Sequence, residues 1–374
     1  MLLRGYYKSI NGGDNLSRTR LLLVAAWGAL CLSSEPVHAQ SSVTLYGVLD
    51  IGVYRNNNVN GSSISRAETR HEPSYFGLRG SEDLGGGLNA TYRLEASVAV
   101  DTGTSTMWRQ SIVGLESRQW GGLTLGRQYD TIIDLVGVDP PRFNSITAVH
   151  TGNWDRSAGV FVNNSIKYRT PTFGGLTGSL MYIFKEDGTS ATNSGKGLGA
   201  SATYQQGRLR VTAAWLKLDG VTHRPANDVG LANLFGLAFP ATTSTIVTND
   251  TIAGLGAYYD FARWRVLGQY TTTKLSAGTG SERINTLSAG ISAVPQGEGL
   301  RPSVGVNYSR LGDARWTTAY GILDYFLSKR TDVYVRVVSQ WAGGAAAPRA
   351  ALYLEGPSSS SRQTVVGVGV THRF

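Results

Sequence analysis

The chain has 374 residues, of which 41% are hydrophobic, 16% are charged and 47 are glycines. This mixture favours one large β domain over two or three ordinary domains. The formal net charge is +9, and the only cysteine, Cys31, lies in an N-terminal segment that resembles a leader, so disulfides, thiolate metal sites and thiol nucleophiles are excluded from the mature chain.

Residues 1–39 have the pattern of a secretory signal peptide. Four basic residues precede an apolar run at 21–32, and Val37 and Ala39 place small residues at −3 and −1 of a cleavage site. The alternative, an anchoring helix, is disfavoured because such a helix needs about 20 apolar residues. We therefore predict a mature domain at 40–374, with 31 basic and 24 acidic residues and a net charge of +7.

The rest of the chain contains no run approaching 18 apolar residues, which leaves a soluble secreted β protein or a transmembrane β-barrel. Apolar and polar residues alternate with a period of two in the segments 88–96, 209–215, 264–270 and 300–308. Four arginines fall on the polar faces of these segments: Arg93, Arg210, Arg265 and Arg301. Such strands are typical of an outer-membrane barrel with a wet interior, although a soluble sandwich alternates as well.

The connections between these segments alternate in length. Short Gly-rich or polar turns are predicted at 81–87, 117–122, 171–175, 205–208, 260–263, 295–299 and 328–331. Longer polar loops are predicted at 56–73, 101–107, 130–159, 186–196, 217–250, 274–282, 310–314 and 341–362. Fifteen connections join sixteen strands, each of roughly 9–11 residues. A barrel in lipid must close, so we expect a first strand at 43–53 to pair with a last strand at 363–374.

Six motifs, taken in order, resemble those of a known family. They are SVTLYG at 42–47, FGLRGSEDLGGG at 76–87, LGRQY at 125–129, VNNSIKY at 162–168, LSKRT at 327–331 and the terminal Phe374. The chain is therefore similar to the Gram-negative general diffusion porins, specifically the trimeric sixteen-stranded type of the neisserial and β-proteobacterial branch.

The resemblance implies an all-β fold, a sixteen-stranded antiparallel transmembrane β-barrel with an inward-folded third loop. It also implies a homotrimer in the outer membrane, in contact with outer-membrane lipid and lipopolysaccharide. Phe374 is similar to the signal that the barrel-assembly machinery reads in this family. The implied function is a water-filled channel for passive diffusion of small hydrophilic solutes and ions, with no enzymatic activity and no cofactor.

The resemblance also identifies a candidate constriction, where the third loop at 130–159 meets the barrel wall. Arg127 matches an arginine at the base of this loop. Relatives usually carry further arginines where this chain has Tyr75 and Phe161, so we predict an aromatic constriction with a weaker transverse field. The charged loop residues assigned to this constriction are Asp130, Asp134, Asp139, Arg142, Asp155 and Arg156. In the alternative reading, Arg142 or Arg156 supplies the missing positive charge.

The excess of basic over acidic residues predicts a modest anion preference, because positive charge in the lumen raises the local anion concentration. Alternatively, much of the excess lies on loops, where salt screens it. Nucleic acid is not an expected partner, since the arginines do not form a stripe. The five histidines are too far apart in sequence for a metal motif. His150 would be the first suspect in an outer-membrane hydrolase, and a secreted sugar-binding protein is the remaining alternative to a channel.

Overall fold

The computed structural model describes residues 42–138, 155, 159–185, 195–239, 244–278, 280–294, 297–346 and 348–374. The predicted cleavage site lies outside these residues, as do Asp139, Arg142, His150 and Arg156. The first ten strands are β1 (Ser42–Val59), β2 (Ser62–Glu68), β3 (Tyr75–Asp83), β4 (Leu88–Val98), β5 (Ser105–Ser117), β6 (Gly121–Tyr129), β7 (Phe161–Arg169), β8 (Leu176–Ile183), β9 (Gly197–Gln206) and β10 (Leu209–His223). The others are β11 (Asn233–Leu234), β12 (Leu237–Ala238), β13 (Thr245–Phe261), β14 (Trp264–Ala277), β15 (Gly280–Ala293), β16 (Gly299–Leu311), β17 (Ala314–Phe326), β18 (Thr331–Gly343) and β19 (Arg362–Arg373).

The main sheet is a closed antiparallel barrel. β1 pairs with β19 along one edge, from Val48↔Arg373 to Asn56↔Val365, and with β3 and then β2 along its other edge. β2 and β3 are thus two halves of one barrel strand, and the described residues form sixteen barrel strands in all. The predicted strand number and the predicted pairing of first and last strands are confirmed. Closure leaves no sheet edge unpaired, as a lipid environment requires.

The two faces of the wall differ as the alternation predicts. On β19, Val366, Val368 and Val370 point outward and are 47%, 51% and 39% exposed. On β14, Gln269 and Thr271 point inward and are 2% and 0% exposed. An apolar outer surface around a polar interior is the reverse of a soluble protein, so the sugar-binding alternative loses its support.

Helices are minor elements of this fold. α1 (Ile133–Val136) and α2 (Pro225–Val229) have four and five residues. Within the described ranges, no helix has the length and apolar character needed to cross a membrane.

All seven predicted short turns coincide with turns between strands. Several predicted long loops are wrong in extent: 274–282 and 310–314 are tight hairpins, and 56–73 and 217–250 contain strand ends. β1 reaches 18 residues and β13 reaches 17, beyond the roughly 9–11 expected for a membrane span. The alternation of apolar and polar residues stops where a strand leaves the hydrocarbon core of the membrane, but backbone pairing continues beyond that point. The hydrophobic pattern therefore does not reveal where the strands end.

One side of the inner wall is apolar at the end of the barrel that carries the longer loops. Inward residues of β10 to β17, among them Leu218, Leu275 and Trp316, join one buried cluster. The segment 225–239, here named the cap segment, contributes further apolar side chains to that cluster: Val229, Leu231, Leu234, Phe235 and Phe239. The sequence predicted only an irregular loop at this place, and the structure corrects that prediction.

Candidate pore constriction

Arg109 of β5 is the centre of a cluster of aromatic and charged side chains on the wall. Its guanidinium lies 4.3 Å from the ring centroid of Tyr75 and 5.4 Å from that of Phe161. It donates a hydrogen bond of 2.6 Å to the Tyr129 hydroxyl, and its Nε lies 3.5 Å from a carboxylate oxygen of Glu95. Two rings, one hydroxyl and one carboxylate therefore hold this cation in place.

A β-bulge explains why the sequence alone did not identify Arg109. Leu94 pairs with Ser111 but Ala96 pairs with Met107, so β5 carries two extra residues opposite β4. Val113 further along β5 points outward and is 60% exposed, and strict alternation would place Arg109 on the same outer face. The bulge breaks that alternation, as bulges do when they redirect a side chain. The only indication of this in the sequence was that strict alternation would turn a charged residue, Arg109, towards lipid.

Arg127 and Phe161, both predicted constriction residues, lie beside this cluster. The Arg127 guanidinium is 5.5 Å from the Phe161 ring centroid and donates a hydrogen bond to the side chain of Asn163. The rings of Phe161 and Tyr129 are 4.4 Å apart. A one-residue shift in the β6–β7 register again interrupts the alternation at this place. The structure thus brings Tyr75, Phe161 and Arg127 together, with Arg109 among them.

The charged cluster continues along the wall towards the short turns. The Tyr46 hydroxyl donates a hydrogen bond of 2.7 Å to Glu95, and the Arg79 guanidinium lies 4.9 Å from the Tyr46 ring centroid. Beyond it is a cavity of about 640 Å³. Among the described residues that line this cavity, four are basic and one is acidic: Arg93, Arg118, Lys167, Arg169 and Glu116. The cavity therefore carries an excess of positive charge.

The aspartates predicted for the third loop make close hydrogen bonds. Asp130 accepts the backbone N–H of Ile133 at 3.1 Å, and Asp134 accepts the Ser201 hydroxyl at 2.5 Å. Asp155 accepts hydroxyls from β14 at 2.7 and 2.5 Å and is only 3% exposed. Asp134 and Asp155 therefore attach this segment to distant strands, whereas the hydrogen bond of Asp130 is local.

The other predicted wall arginines have separate environments. Arg210 donates to the Gln205 side chain at 3.2 Å and to the Asp134 carbonyl at 3.4 Å. Arg265 forms a two-point ion pair with Asp260 at 2.7 and 2.9 Å, so its charge is locally balanced. Arg301 stacks on Phe326 at 3.7 Å from the ring centroid. Only Arg93 of the four lines the basic cavity.

Phe374 ends the chain next to the first strand. Its backbone N–H and carbonyl exchange two 3.1 Å hydrogen bonds with Gly47, and its side chain is 39% exposed on the outer surface. A Cβ added at Gly47 would lie 2.6 Å from the Phe374 ring. Glycine at this position is what lets the terminal ring lie flat against β1.

Comparison with known proteins agrees with this architecture. The family model for Gram-negative porins matches residues 25–340. Outer membrane porin protein 32 of Delftia acidovorans is 30% identical over 371 residues, which cover 92% of this chain and 98% of that protein. The solved anion-selective porin from Comamonas acidovorans has a TM-score of 0.75 and 26% identity, over 90% of this chain and 100% of that one.

A second solved structure, the trimer form of OmpT from Vibrio cholerae, shares the fold with a TM-score of 0.66 at 15% identity, over 89% of this chain and 99% of that one. Together, the closed barrel, its apolar outer face and a family match along most of the chain establish that this protein belongs to the Gram-negative porins and resides in the outer membrane.

Proposed function

We propose that this porin passes small hydrophilic solutes with a preference for anions, through a constriction in which aromatic rings hold a basic side chain. The observation that carries the proposal is the position of Arg109 between Tyr75 and Phe161, on a strand that also lines a cavity with an excess of basic residues. Charge of one sign on low-dielectric walls concentrates counter-ions and sets selectivity.

The aromatic environment preserves the charge of Arg109. A carboxylate partner neutralises a guanidinium, as Asp260 does for Arg265, whereas a ring orients the cation without cancelling its charge. Glu95 is the only carboxylate that contacts Arg109 within the described ranges, and its distance of 3.5 Å is long for an ion pair. The substitution of wall arginines by Tyr75 and Phe161 is therefore partly compensated by Arg109, and the transverse field is stronger than the sequence predicted.

Three further features belong to this proposal. The third loop folds into the barrel: Thr131 donates 2.7 Å to the Trp215 carbonyl on β10, and Asp155 binds hydroxyls of β14, which supports a path along the inner wall. Three barrels associate through their apolar outer faces, next to lipid and lipopolysaccharide, and the trimer form of OmpT supports this assembly. Phe374 serves as the signal for the barrel-assembly machinery.

The Comamonas structure supports the choice of anions, since that protein is an anion-selective porin at 26% identity to this chain. The test is the reversal potential of single channels in planar bilayers under a KCl gradient. We expect an anion-directed potential for the wild type and a clear shift towards zero for Arg93→Gln.

Arg310→Gln is the matched control, because Arg310 is an exposed arginine at the hairpin between β16 and β17 and donates to the Gly312 carbonyl. It should behave as the wild type. A cation-directed potential in the wild type, or equal shifts in the two variants, would contradict the proposed anion preference while leaving the porin assignment intact.

A further inference from the structure

A buried cluster of charged residues lies near the seam where β1 meets β19, and none of its members belongs to the candidate constriction. The connection at 69–74 between β2 and β3 lies outside the strand pairing of the barrel. It places His71 beside Asp324 of β17 and Asp332 of β18. His71, Asp324 and Asp332 are 0%, 1% and 0% exposed. Each offers one ligand atom, and these three atoms all lie within 4.8 Å of one another. The shortest separation, 3.2 Å, joins His71 Nε2 to Asp324 Oδ1.

The surrounding contacts fix these side chains in position. The His71 ring stacks on Tyr334 with 4.0 Å between centroids, and its backbone N–H donates 3.1 Å to Asp50. Asp332 Oδ1 accepts a hydrogen bond from Arg373, which also binds Glu72. Ligands that are held in advance by neighbouring groups lose little freedom when a metal binds.

Two oxygens of this cluster accept no hydrogen bond, although one of them, Asp324 Oδ1, lies 3.2 Å from His71 Nε2. Asp324 Oδ1 and Asp332 Oδ2 are buried and accept no hydrogen bond. Leaving a buried carboxylate oxygen unsatisfied is costly. Asp324 and Asp332 both belong to the group whose ligand atoms converge with His71.

The local charge points the same way. The carboxylates of Glu72 and Asp332 contact one guanidinium, that of Arg373, and Asp324 adds a third carboxylate beside the His71 imidazole. Three carboxylates therefore lie beside one guanidinium, and the two aspartates among them are buried. Buried like charges of this kind need a compensating cation.

We propose that His71, Asp324 and Asp332 bind one divalent transition-metal ion, with Zn²⁺ as the best fit to one imidazole and two carboxylates. Calcium and magnesium prefer oxygen ligands alone, whereas imidazole suits zinc and its neighbours in the first transition row. The ion would cross-link the 69–74 connection to β17 and β18, near the β1–β19 pairing that closes the barrel. Its role is structural, and the inference does not depend on the proposed anion preference.

The experiment measures zinc in the full-length folded protein. Detergent-purified porin is incubated with Zn²⁺, dialysed against metal-free buffer and analysed by mass spectrometry for metal content. We expect about one Zn²⁺ per chain in the wild type, at least tenfold less in His71→Gln and Asp324→Asn, and a higher thermal midpoint with Zn²⁺ than with EDTA in the wild type only.

His223→Gln is the matched control. His223 is equally buried and lies 3.2 Å from Asp250, but among the described residues only the His71 group offers three converging ligands. This variant should bind zinc as the wild type does. Zinc content that is equal in the wild type and in His71→Gln would overturn the proposal.

A second measurement covers the case in which the variants do not fold. Wild-type protein loaded with Co²⁺ should show visible ligand-field absorption that disappears when Zn²⁺ is added. If the wild type binds neither ion and its stability is indifferent to EDTA, the site holds no metal and the proposal is wrong.

Discussion

At the scale of single residues, the unusual feature of this porin is a cation held by rings. Tyr75 and Phe161 lie where the resemblance to porins led us to expect arginine, and Arg109 contacts both of them. Each such contact contributes about 0.5–2 kcal/mol, depending on how well water is excluded. The rings therefore fix the orientation of the Arg109 side chain and leave its positive charge in place.

Tyr75→Leu tests this positioning. Removing the ring frees the Arg109 side chain, so we expect noisier open-channel current and a changed single-channel conductance in planar bilayers. Tyr75→Phe keeps the ring and should match the wild type. If the leucine and phenylalanine variants behave alike, the ring does not position Arg109.

Arg109→Gln tests the charge itself. One unit charge at about 10 Å in water is worth about 0.4 kcal/mol, a roughly twofold change in ion concentration. Because the same charge raises chloride and lowers potassium by this factor, we expect the ratio of chloride to potassium permeability to fall by about fourfold. The reversal potential under a KCl gradient measures this permeability ratio. Arg283→Gln is the control, because Arg283 lies on β15 near the hairpin that joins β14 to β15. A ratio unaltered by Arg109→Gln would assign selectivity to other residues.

At the scale of elements, strand glycines at the seam make room for two tyrosines. The hydroxyls of Tyr54 and Tyr334 are 2.6 Å apart inside the barrel, and both rings are buried. A Cβ added at Gly367 of β19 would lie 2.1 Å from the Tyr54 ring. The close packing of ring on backbone therefore depends on glycine at that position.

Gly367→Ala should destabilise the folded barrel by about 1–3 kcal/mol, the usual cost of overpacking. The measurement is the temperature at which the folded band is lost on gels of unboiled samples. Gly321→Ala on β17 is the control, since its nearest neighbour would be 3.6 Å away. Equal midpoints for the two variants would show that the seam accommodates the extra methyl group.

The cap segment offers a second test at this scale. Leu234 and Leu237 face each other across the β11–β12 pair, yet Leu234 is 3% exposed and Leu237 is 48% exposed. Leu234→Asp places a charge in an apolar cluster, which costs several kcal/mol unless the segment detaches. We expect faster cleavage by proteinase K and a larger conductance, whereas Leu237→Asp should change neither. Resistance to cleavage in the Leu234 variant would mean that the cap segment is held by other contacts.

At the scale of the whole molecule, selectivity depends on charges that face water, and salt screens these. The screening length falls from about 10 Å at 0.1 M to about 3 Å at 1 M salt. We therefore expect the permeability ratio to approach one as KCl concentration rises at a constant gradient. A ratio that stays constant over this range would point to steric selection at the constriction instead.

The amino-acid sequence by itself determined the barrel. Alternating residues such as those at 88–96, together with seven recognisable turns, were enough for the strand number and for the pairing of the ends, because a strand in lipid must turn one apolar face outward and no edge may stay open. Tyr75, Phe161 and Arg127 were also identified, because their motifs are local.

Only the tertiary structure placed Arg109, the cap segment and the His71 cluster. Arg109 depends on a bulge, which reverses the face of a side chain without leaving a mark in the hydrophobic pattern. The cap segment and the His71 cluster depend on contacts between residues far apart in sequence: His71 and Asp324 are brought to 3.2 Å only because the sheet closes on itself. Local alternation fixes which face a strand shows to lipid, but barrel closure decides which distant side chains share the interior.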